Sequence, residues 1–293
     1  MAQMFSMLIR HPWLSIGVAA IAIAAGAIVY MTEVEPGWLK LDEQNVQLES
    51  WNSPKPLVIL QLSDLHVDNL DDLKRARRAV ELGLKSKPDI VVLTGDFITT
   101  QLINESERYS EILKSLSEAA PSFACLGNHD GGSWADMAGG YSNHSEVKAM
   151  LEKASIRVLF NSAADIEVKG AKVRIVGLGD LWSNEASPEQ AFTKQEGGTR
   201  PLTAVIEHNP DAKTLLEPYA WDLMLCGHTH GGQLQIPFLG APFTPVRDAS
   251  FASGLKSWKN RWIYTSAGVG NLHGARLNCR PQVSVLKIMK ADK

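Results

Sequence analysis

Seven residues of this 293-residue chain carry the donor atoms that hold divalent transition metals: Asp64, His66, Asp96, Asn128, His208, His228 and His230. They fall in short runs, D-L-H at 64–66, G-D at 95–96, G-N-H-D at 127–130, H-N-P at 208–210 and C-G-H-T-H-G-G-Q at 226–233. Mixed imidazole and carboxylate donors suit Mn, Fe, Zn or Co better than Ca, and seven suit two ions better than one. If Asp96 bridges, each ion has four protein ligands and keeps positions open for water and substrate. The two imidazoles of the 226–233 turn can serve one metal or one each of two. Its glycines, 227, 231 and 232, let the backbone approach an ion or phosphate closely. Of the eight histidines, His11, His144 and His273 stand outside these runs.

Each run follows an apolar stretch of strand length: 57–62, 90–94, 123–126, 202–207 and 223–226. Pro210 forbids a strand continuing past His208, so that donor also lies at an element's end. Between the early strands the apolar spacing predicts helices over 70–85 and 105–118, then over 146–153 after a glycine-rich loop at 134–143. Further strand-like runs occupy 158–160, 172–176, 262–266 and 283–288. This alternation is that of an α/β architecture, whose ligands bind at the carboxyl ends of strands.

Residues 13–31 form an uncharged, Ala- and Ile-rich run just long enough to span a bilayer, expected to be an uncleaved signal anchor. Arg10 precedes it, whereas Glu33, Glu35, Asp42 and Glu43 follow with only Lys40 against them. The expected topology is single-pass in the inner membrane, with the catalytic domain periplasmic and the cytoplasmic face as the alternative. Residues 32–56, polar and carrying Pro36, Pro54 and Pro56, read as a linker between this anchor (1–31) and a catalytic domain at 57–293.

Composition narrows the partners. A balance of 29 basic to 32 acidic residues provides no field for gripping a nucleic-acid backbone, so no nucleic-acid partner is expected. Cys125, Cys226 and Cys279 have neither the number nor the spacing of a disulfide framework or zinc ribbon.

The ordered set D-x-H, G-D, G-N-H-D, a later His and G-H-T-H resembles the calcineurin-like metallophosphoesterase superfamily over about residues 57–288. Stretches E-P-G-W at 35–38, G-D-L-W at 179–182, H-N-P-D at 208–211 and the tail 276–281 resemble its bacterial membrane-associated phosphodiesterases. That resemblance implies a four-layer α/β/β/α sandwich with a dimetal centre at one edge. It also implies that Asp64, His66, Asp96 and His230 hold one metal, and Asp96, Asn128, His208 and His228 the other. Two cations about 3.5–4 Å apart lower the pKa of a bridging water, neutralise phosphoryl oxygens and align an in-line displacement. His129, the acid of the family by resemblance, is free of metal duty and placed to protonate the leaving oxygen. Asp130 either orients His129 or caps a turn. His273 and Arg276 are candidate contacts for substrate phosphate.

Departures from the family pattern bear on substrate. Protein Ser/Thr phosphatases extend the second motif to G-D-x-x-D-R-G and place Arg directly before G-N-H-E; here the chain reads G-D-F-I-T-T, with Leu126 at the Arg position. Without a cation for a second negative charge, a phosphodiester or diphosphate is expected rather than a phosphoprotein. The expected activity is a dinuclear-metal phosphodiesterase working through a metal-bridging hydroxide on a phosphodiester or lipid-linked diphosphate. Its alternatives are a UDP-2,3-diacylglucosamine pyrophosphohydrolase of lipid A assembly and a membrane-tethered scaffold without turnover, against which the intact donor set stands.

Overall fold

The apolar runs that precede the donor residues become parallel strands in the computed structural model, which describes residues 12–192 and 200–291. In chain order the strands are β1 (Lys40–Leu48), β2 (Leu57–Leu62), β3 (Ile90–Thr94), β4 (Ser122–Cys125), β5 (Arg157–Val158), β6 (Ser162–Val168), β7 (Ala171–Gly177), β8 (Leu202–Ile206), β9 (Leu223–Cys226), β10 (Gly254–Trp258), β11 (Arg261–Thr265) and β12 (Gln282–Lys290). The helices are α1 (Pro12–Val29), α2 (Leu70–Leu84), α3 (Ser106–Ala119), α4 (Gly132–Met137), α5 (Ser145–Lys153) and α6 (Pro188–Ala191). The strands form two six-stranded sheets, ordered β1-β12-β2-β3-β4-β5 and β10-β11-β9-β8-β7-β6. Neighbours β2, β3 and β4 run parallel in the first, as do β7, β8 and β9 in the second.

Both faces of the central strands are buried. In β2, Leu57 and Ile59 join Val173, Ile175, Ala204 and Leu225 between the sheets, whereas Leu60 and Leu62 face Leu73, Ala76 and Val80 of α2. That two-residue period in an all-apolar run explains why β2 reads as continuous hydrophobicity rather than alternation. Asn69 caps α2, its side chain accepting from the amides of Asp71 at 2.9 Å and Asp72 at 3.1 Å. Helices α2, α3 and α5 thus form one outer layer. The opposite layer is thin: α6 and short 3₁₀ turns at Pro210–Thr214 and Ala249–Phe251 cover Val176, Val205, Met224 and Ile263. The four-layer α/β/β/α arrangement therefore holds, with turns and loops doing most of the covering on the second sheet.

The region expected to be a linker differs. Residues 40–48 form β1, paired in parallel with β12 from Lys40↔Gln282 to Leu48↔Lys290. The prolines that suggested a tether lie outside this strand and bracket it, so 32–56 belongs to the folded body. Within the glycine-rich stretch, α4 takes the first turn and the loop begins after it. Strands β6 and β10 had no sequence counterpart; both carry exposed polar faces.

Helix α1 continues through a turn at Tyr30–Val34 into a 3₁₀ turn at Glu35–Gly37. The stretch Ser15–Gly37 is long and apolar enough to cross a membrane, and none of its apolar window is covered by the rest of the protein. Arg10, on which the orientation rests, lies outside the described residues.

Candidate metal centre

Parallel pairing brings the carboxyl ends of five strands to one edge. The end of β2 delivers Asp64 and His66, β3 Asp96, β4 Asn128 and His129, β8 His208, and the turn after β9 His228 and His230. Ladder bonds continue past the strand ends and fix the loops: Asp64 N–H donates to Gly95 O (2.9 Å), His66 N–H to Asp96 O (3.0 Å) and Gly227 N–H to His208 O (2.9 Å). All seven predicted donors are at most 6% exposed. Five of them sit in the left-handed region, with φ of 51° at Asp64, 43° at His66, 54° at Asp96, 70° at His228 and 50° at His230. Each such non-glycine residue costs on the order of 1–3 kcal/mol and persists where surrounding structure imposes it, most often at functional sites. The neighbouring glycines allow the approach: a Cβ on Gly227 would meet Ser63 Oγ and Asp64 Oδ2, and one on Gly127 would meet Asp96.

The donor atoms converge in overlapping groups: Asp64, His66 and His230; His66, Asp96 and His129; Asp96, His208 and His228. Asp96 is common to two of them, so it can face two ions. His66 Nε2 and His230 Nε2 lie 3.1 Å apart, and His208 Nε2 lies 3.0 Å from Asp96 Oδ2. Lone pairs at those separations repel unless a proton or a cation lies between them. Outer contacts fix several ring tautomers: His208 Nδ1–H donates to Thr94 O at 2.7 Å and His228 Nε2–H to Pro245 O at 3.2 Å. These bonds leave His208 Nε2 and His228 Nδ1 as the free lone pairs, as metal-bound imidazoles require. Asp64 Oδ2 and Asn128 Oδ1 have no hydrogen-bond partner despite full burial, and His208 Nε2 meets only the Asp96 carboxylate. Unpaired buried oxygens and nitrogens are costly in an interior, and a pair of divalent ions fits this donor set.

Electrostatics agree. Burial pushes the His228 imidazolium down to about 3; burial, helped by His66 and Arg276, holds His230 well below the usual range. Both rings are therefore neutral, the form that ligates. Burial alone would raise Asp96, yet the charges and bonds of His208, His129 and His66 hold it well below the ordinary carboxylate range. At His208 burial works downward and is outweighed by Asp96, which raises it well above a normal histidine. A cation replacing that proton meets the same carboxylate. Burial raises Asp64.

His129 donates Nδ1–H to Thr99 O at 2.6 Å, leaving Nε2 free, and burial lowers its pKa. Asp130 does not touch that ring. Its carboxylate accepts from the amides of Asp96 (2.8 Å), Phe97 (2.7 Å) and Gly127 (2.8 Å), clamping the β3 and β4 loops together, while burial and Asp96 push it up to about 7. A pocket of about 930 Å³ opens over the centre; Asp96, Asn128, His129, His228 and His230 form its floor. Trp134, Trp182, Phe243 and Leu272 give it apolar walls, and no Lys or Arg is among its described lining residues. Trp182 stands in the G-D-L-W stretch and Trp134 opens the glycine-rich stretch at 134–143, but neither carries a donor pattern that marks a pocket wall. His273 lines the mouth. Arg276 is a correction: it is fully buried behind His230, donating to the carbonyls of Cys279 (2.9 Å), Ala267 (3.0 Å) and Gly270 (2.6 Å). Its Nη1 and Nη2 are taken by backbone oxygens, it is absent from the described pocket lining, and Nη2 lies 3.4 Å from His230 Nδ1.

The sequence model of the calcineurin-like phosphoesterases matches residues 57–232. Over 97% of its length the chain is 40% identical to phosphodiesterase YaeI of Escherichia coli K12, covering all of that protein. It is 28% identical to the uncharacterized metallophosphoesterase YkuE of Bacillus subtilis, over 92% of this chain and 95% of YkuE. UDP-2,3-diacylglucosamine pyrophosphatase LpxG of Chlamydia trachomatis is more distant, 25% identical over 89% of this chain and 92% of LpxG.

Proposed function

The chain belongs to the calcineurin-like phosphoesterase family, a metal-dependent family of phosphoric ester hydrolases, and on that premise we propose that it is a membrane-anchored phosphodiesterase cleaving a phosphodiester or diphosphate bond. One observation carries the reading: buried Asp64 Oδ2 and Asn128 Oδ1 have no hydrogen-bond partner, within a donor set that five strand ends bring together. Asp64, His66, Asp96 and His230 are proposed to hold one ion, and Asp96, Asn128, His208 and His228 the other. Mn, Fe, Zn and Co all suit these ligands. When bound, such a pair supplies Lewis acidity at the phosphoryl oxygens and a water acidic enough to attack.

The protein's own residues do the rest. Thr99 O holds His129 Nδ1–H and so orients the ring on the pocket floor; Nε2 first takes up a proton, forming the imidazolium, and gives that proton to the departing oxygen. Trp134 packs edge-on against that ring at 4.6 Å between centroids and limits its rotation. Described lining residues that include no Lys or Arg favour a diester monoanion or diphosphate over a monoester dianion, in keeping with Leu126 directly before the G-N-H-D run. The apolar walls suit a substrate with a hydrophobic portion.

The flanking charges, Arg10 before the apolar helix and Glu33, Glu35, Asp42 and Glu43 after it, favour an inner-membrane anchor with a periplasmic catalytic domain. The LpxG relative favours a second reading, a UDP-2,3-diacylglucosamine pyrophosphatase, which would place the domain on the cytoplasmic face.

The test is hydrolysis of bis-p-nitrophenyl phosphate beside p-nitrophenyl phosphate by the metal-stripped full chain in detergent, with Mn, Zn or Mg restored. Diester turnover should return with metal and fall about 10²–10⁴-fold in His129→Ala while bound metal is retained. Comparable turnover of phosphoserine peptides and aryl diesters would sink the diesterase assignment.

A further inference from the structure

Residues 234–245, L-Q-I-P-F-L-G-A-P-F-T-P, contain no charged side chain. They fold into a tight hairpin closed by Ile236 N–H to Gly240 O (2.9 Å) and Gly240 N–H to Ile236 O (2.8 Å). At its tip Phe238 holds φ of 68°, an uncommon conformation for a bulky residue, and is fully exposed. Among the described residues beyond the N-terminal helix, the four most exposed large apolar side chains are Phe238, Met137 (81%), Phe243 (80%) and Leu239 (70%). Three of these four belong to the hairpin. Soluble surfaces carry scattered apolar residues, but a contiguous set on one strained turn marks a contact.

The hairpin is rooted where the apolar helix ends. Gln235 N–H donates to Leu277 O at 2.8 Å and Asn278 Nδ2 to Gln235 O at 3.0 Å. The same segment seats the helix end: Arg276 N–H donates to Met31 O at 2.9 Å, and the amides of Asn278 and Cys279 donate to the buried Glu35 carboxylate at 3.0 and 2.5 Å. Phe238 is three residues from Gln235 and so no more than about 10 Å from it. The hairpin's inner side, Leu234, Pro242, Phe243, Thr244 and Pro245, is a wall of the pocket over the candidate metal centre, and Pro245 O fixes the His228 ring.

We infer that the Ile236–Phe243 hairpin dips into the lipid bilayer as a second membrane contact beside α1, holding the pocket mouth against the membrane surface. The inference rests on the anchored-phosphodiesterase reading and deepens it: the substrate is an amphiphile whose acyl chains stay in the bilayer while its phosphodiester or diphosphate enters past Phe243 and Leu272. A bilayer is the favoured occupant because the hairpin shares its root with the membrane-crossing candidate, is uncharged, and presents an aromatic tip of the kind enriched at membrane interfaces.

The test needs no substrate and no metal. All three native cysteines are buried, so a thiol-reactive fluorophore reports from Phe238→Cys, or from Leu239→Cys if the first variant folds poorly. The full chain is placed in phosphatidylethanolamine–phosphatidylglycerol nanodiscs with and without spin-labelled lipid. Ile21→Cys in α1 and Lys114→Cys on the exposed face of α3 serve as references. Quenching at position 238 or 239 that approaches the Ile21 level and far exceeds the Lys114 level supports the inference. A hairpin label no more quenched than Lys114 overturns it, and label-to-label contact between copies, independent of the lipid quencher, assigns the hairpin to a second copy instead. The Ile21 signal judges the anchor separately: if it is unquenched the anchor fails, whereas the hairpin still stands or falls on its own label.

Discussion

Replacing Arg276 by Met separates a positioning role from a substrate contact. The guanidinium makes three bonds of 2.6–3.0 Å to Gly270, Ala267 and Cys279 carbonyls, in a position with no solvent exposure. Met fills much of the volume but donates nothing, and each buried acceptor left alone costs about 1–3 kcal/mol. Part of that is returned, because Arg276 Nε has no partner and burial already lowers the guanidinium pKa. A net loss of about 3–5 kcal/mol follows, comparable to breaking a buried ion pair. At about 2–4 °C per kcal/mol for a protein near this size, Tm should fall by about 6–20 °C. Because Nη2 also lies 3.4 Å from His230 Nδ1, the variant should release metal at lower chelator concentrations. Circular-dichroism melts of the detergent-solubilised chain and metal analysis across a chelator titration measure both. Arg276→Lys, which keeps the charge without the planar fork, should recover only part of the loss. A Met variant that melts like the wild type and binds metal normally, yet shows a raised KM, would refute the reasoning and restore Arg276 as a phosphate contact.

Three further outcomes are expected. Asp130→Asn turns one acceptor into a donor facing an amide and should destabilise the chain by about 2–3 kcal/mol in urea unfolding; an unchanged midpoint would remove the clamp between the β3 and β4 loops. Gly227→Ala drives a methyl into Ser63 and Asp64 and should cost at least about 1–3 kcal/mol in melting experiments, with metal occupancy reduced as Asp64 is displaced; normal occupancy contradicts that packing. Stripping metal from the wild type should lower Tm, since ions at about 100 times their Kd contribute about 2.7 kcal/mol to the folded state, and identical melts with and without Mn or Zn would argue that the buried donors bind neither.

The donors were legible because each sits where an apolar run stops: L-V-I-L-Q-L before Asp64, I-V-V-L-T before Asp96, L-M-L-C before His228. Burial on both faces makes such runs visible, and parallel pairing then forces their ends to one edge. Strand β1 was hidden for the opposite reason. Its sequence K-L-D-E-Q-N-V-Q-L is that of an edge strand with one face in water, and only pairing with β12, more than 230 residues later, makes it a strand. Arg276 and Asp130 escaped through direction: a guanidinium or carboxylate beside a motif reads the same whether it faces a phosphate or a set of backbone groups. The carbonyls that absorb Arg276 and the amides that absorb Asp130 exist only in the folded loops.

Arg276 also belongs to the junction between the apolar helix and the loop before β12. Glu35, at the end of the apolar stretch, is fully buried and binds the amides of Asn278 and Cys279; Cys279 O accepts from Arg276, which also bonds Ala267 and leans on His230. Arg280 closes the junction from outside, donating to the Trp38 and Leu39 carbonyls and lying 4.0 Å over the Trp38 ring. A polar linker would leave the catalytic body free to rotate beneath its anchor. Here the end of the apolar helix is bonded into the loop before β12, whose Arg276 leans on His230, with β1 continuing directly from the helix end into the first sheet. Rotation at that junction would break a buried carboxylate's bonds, so the pocket holds one orientation relative to the helix axis.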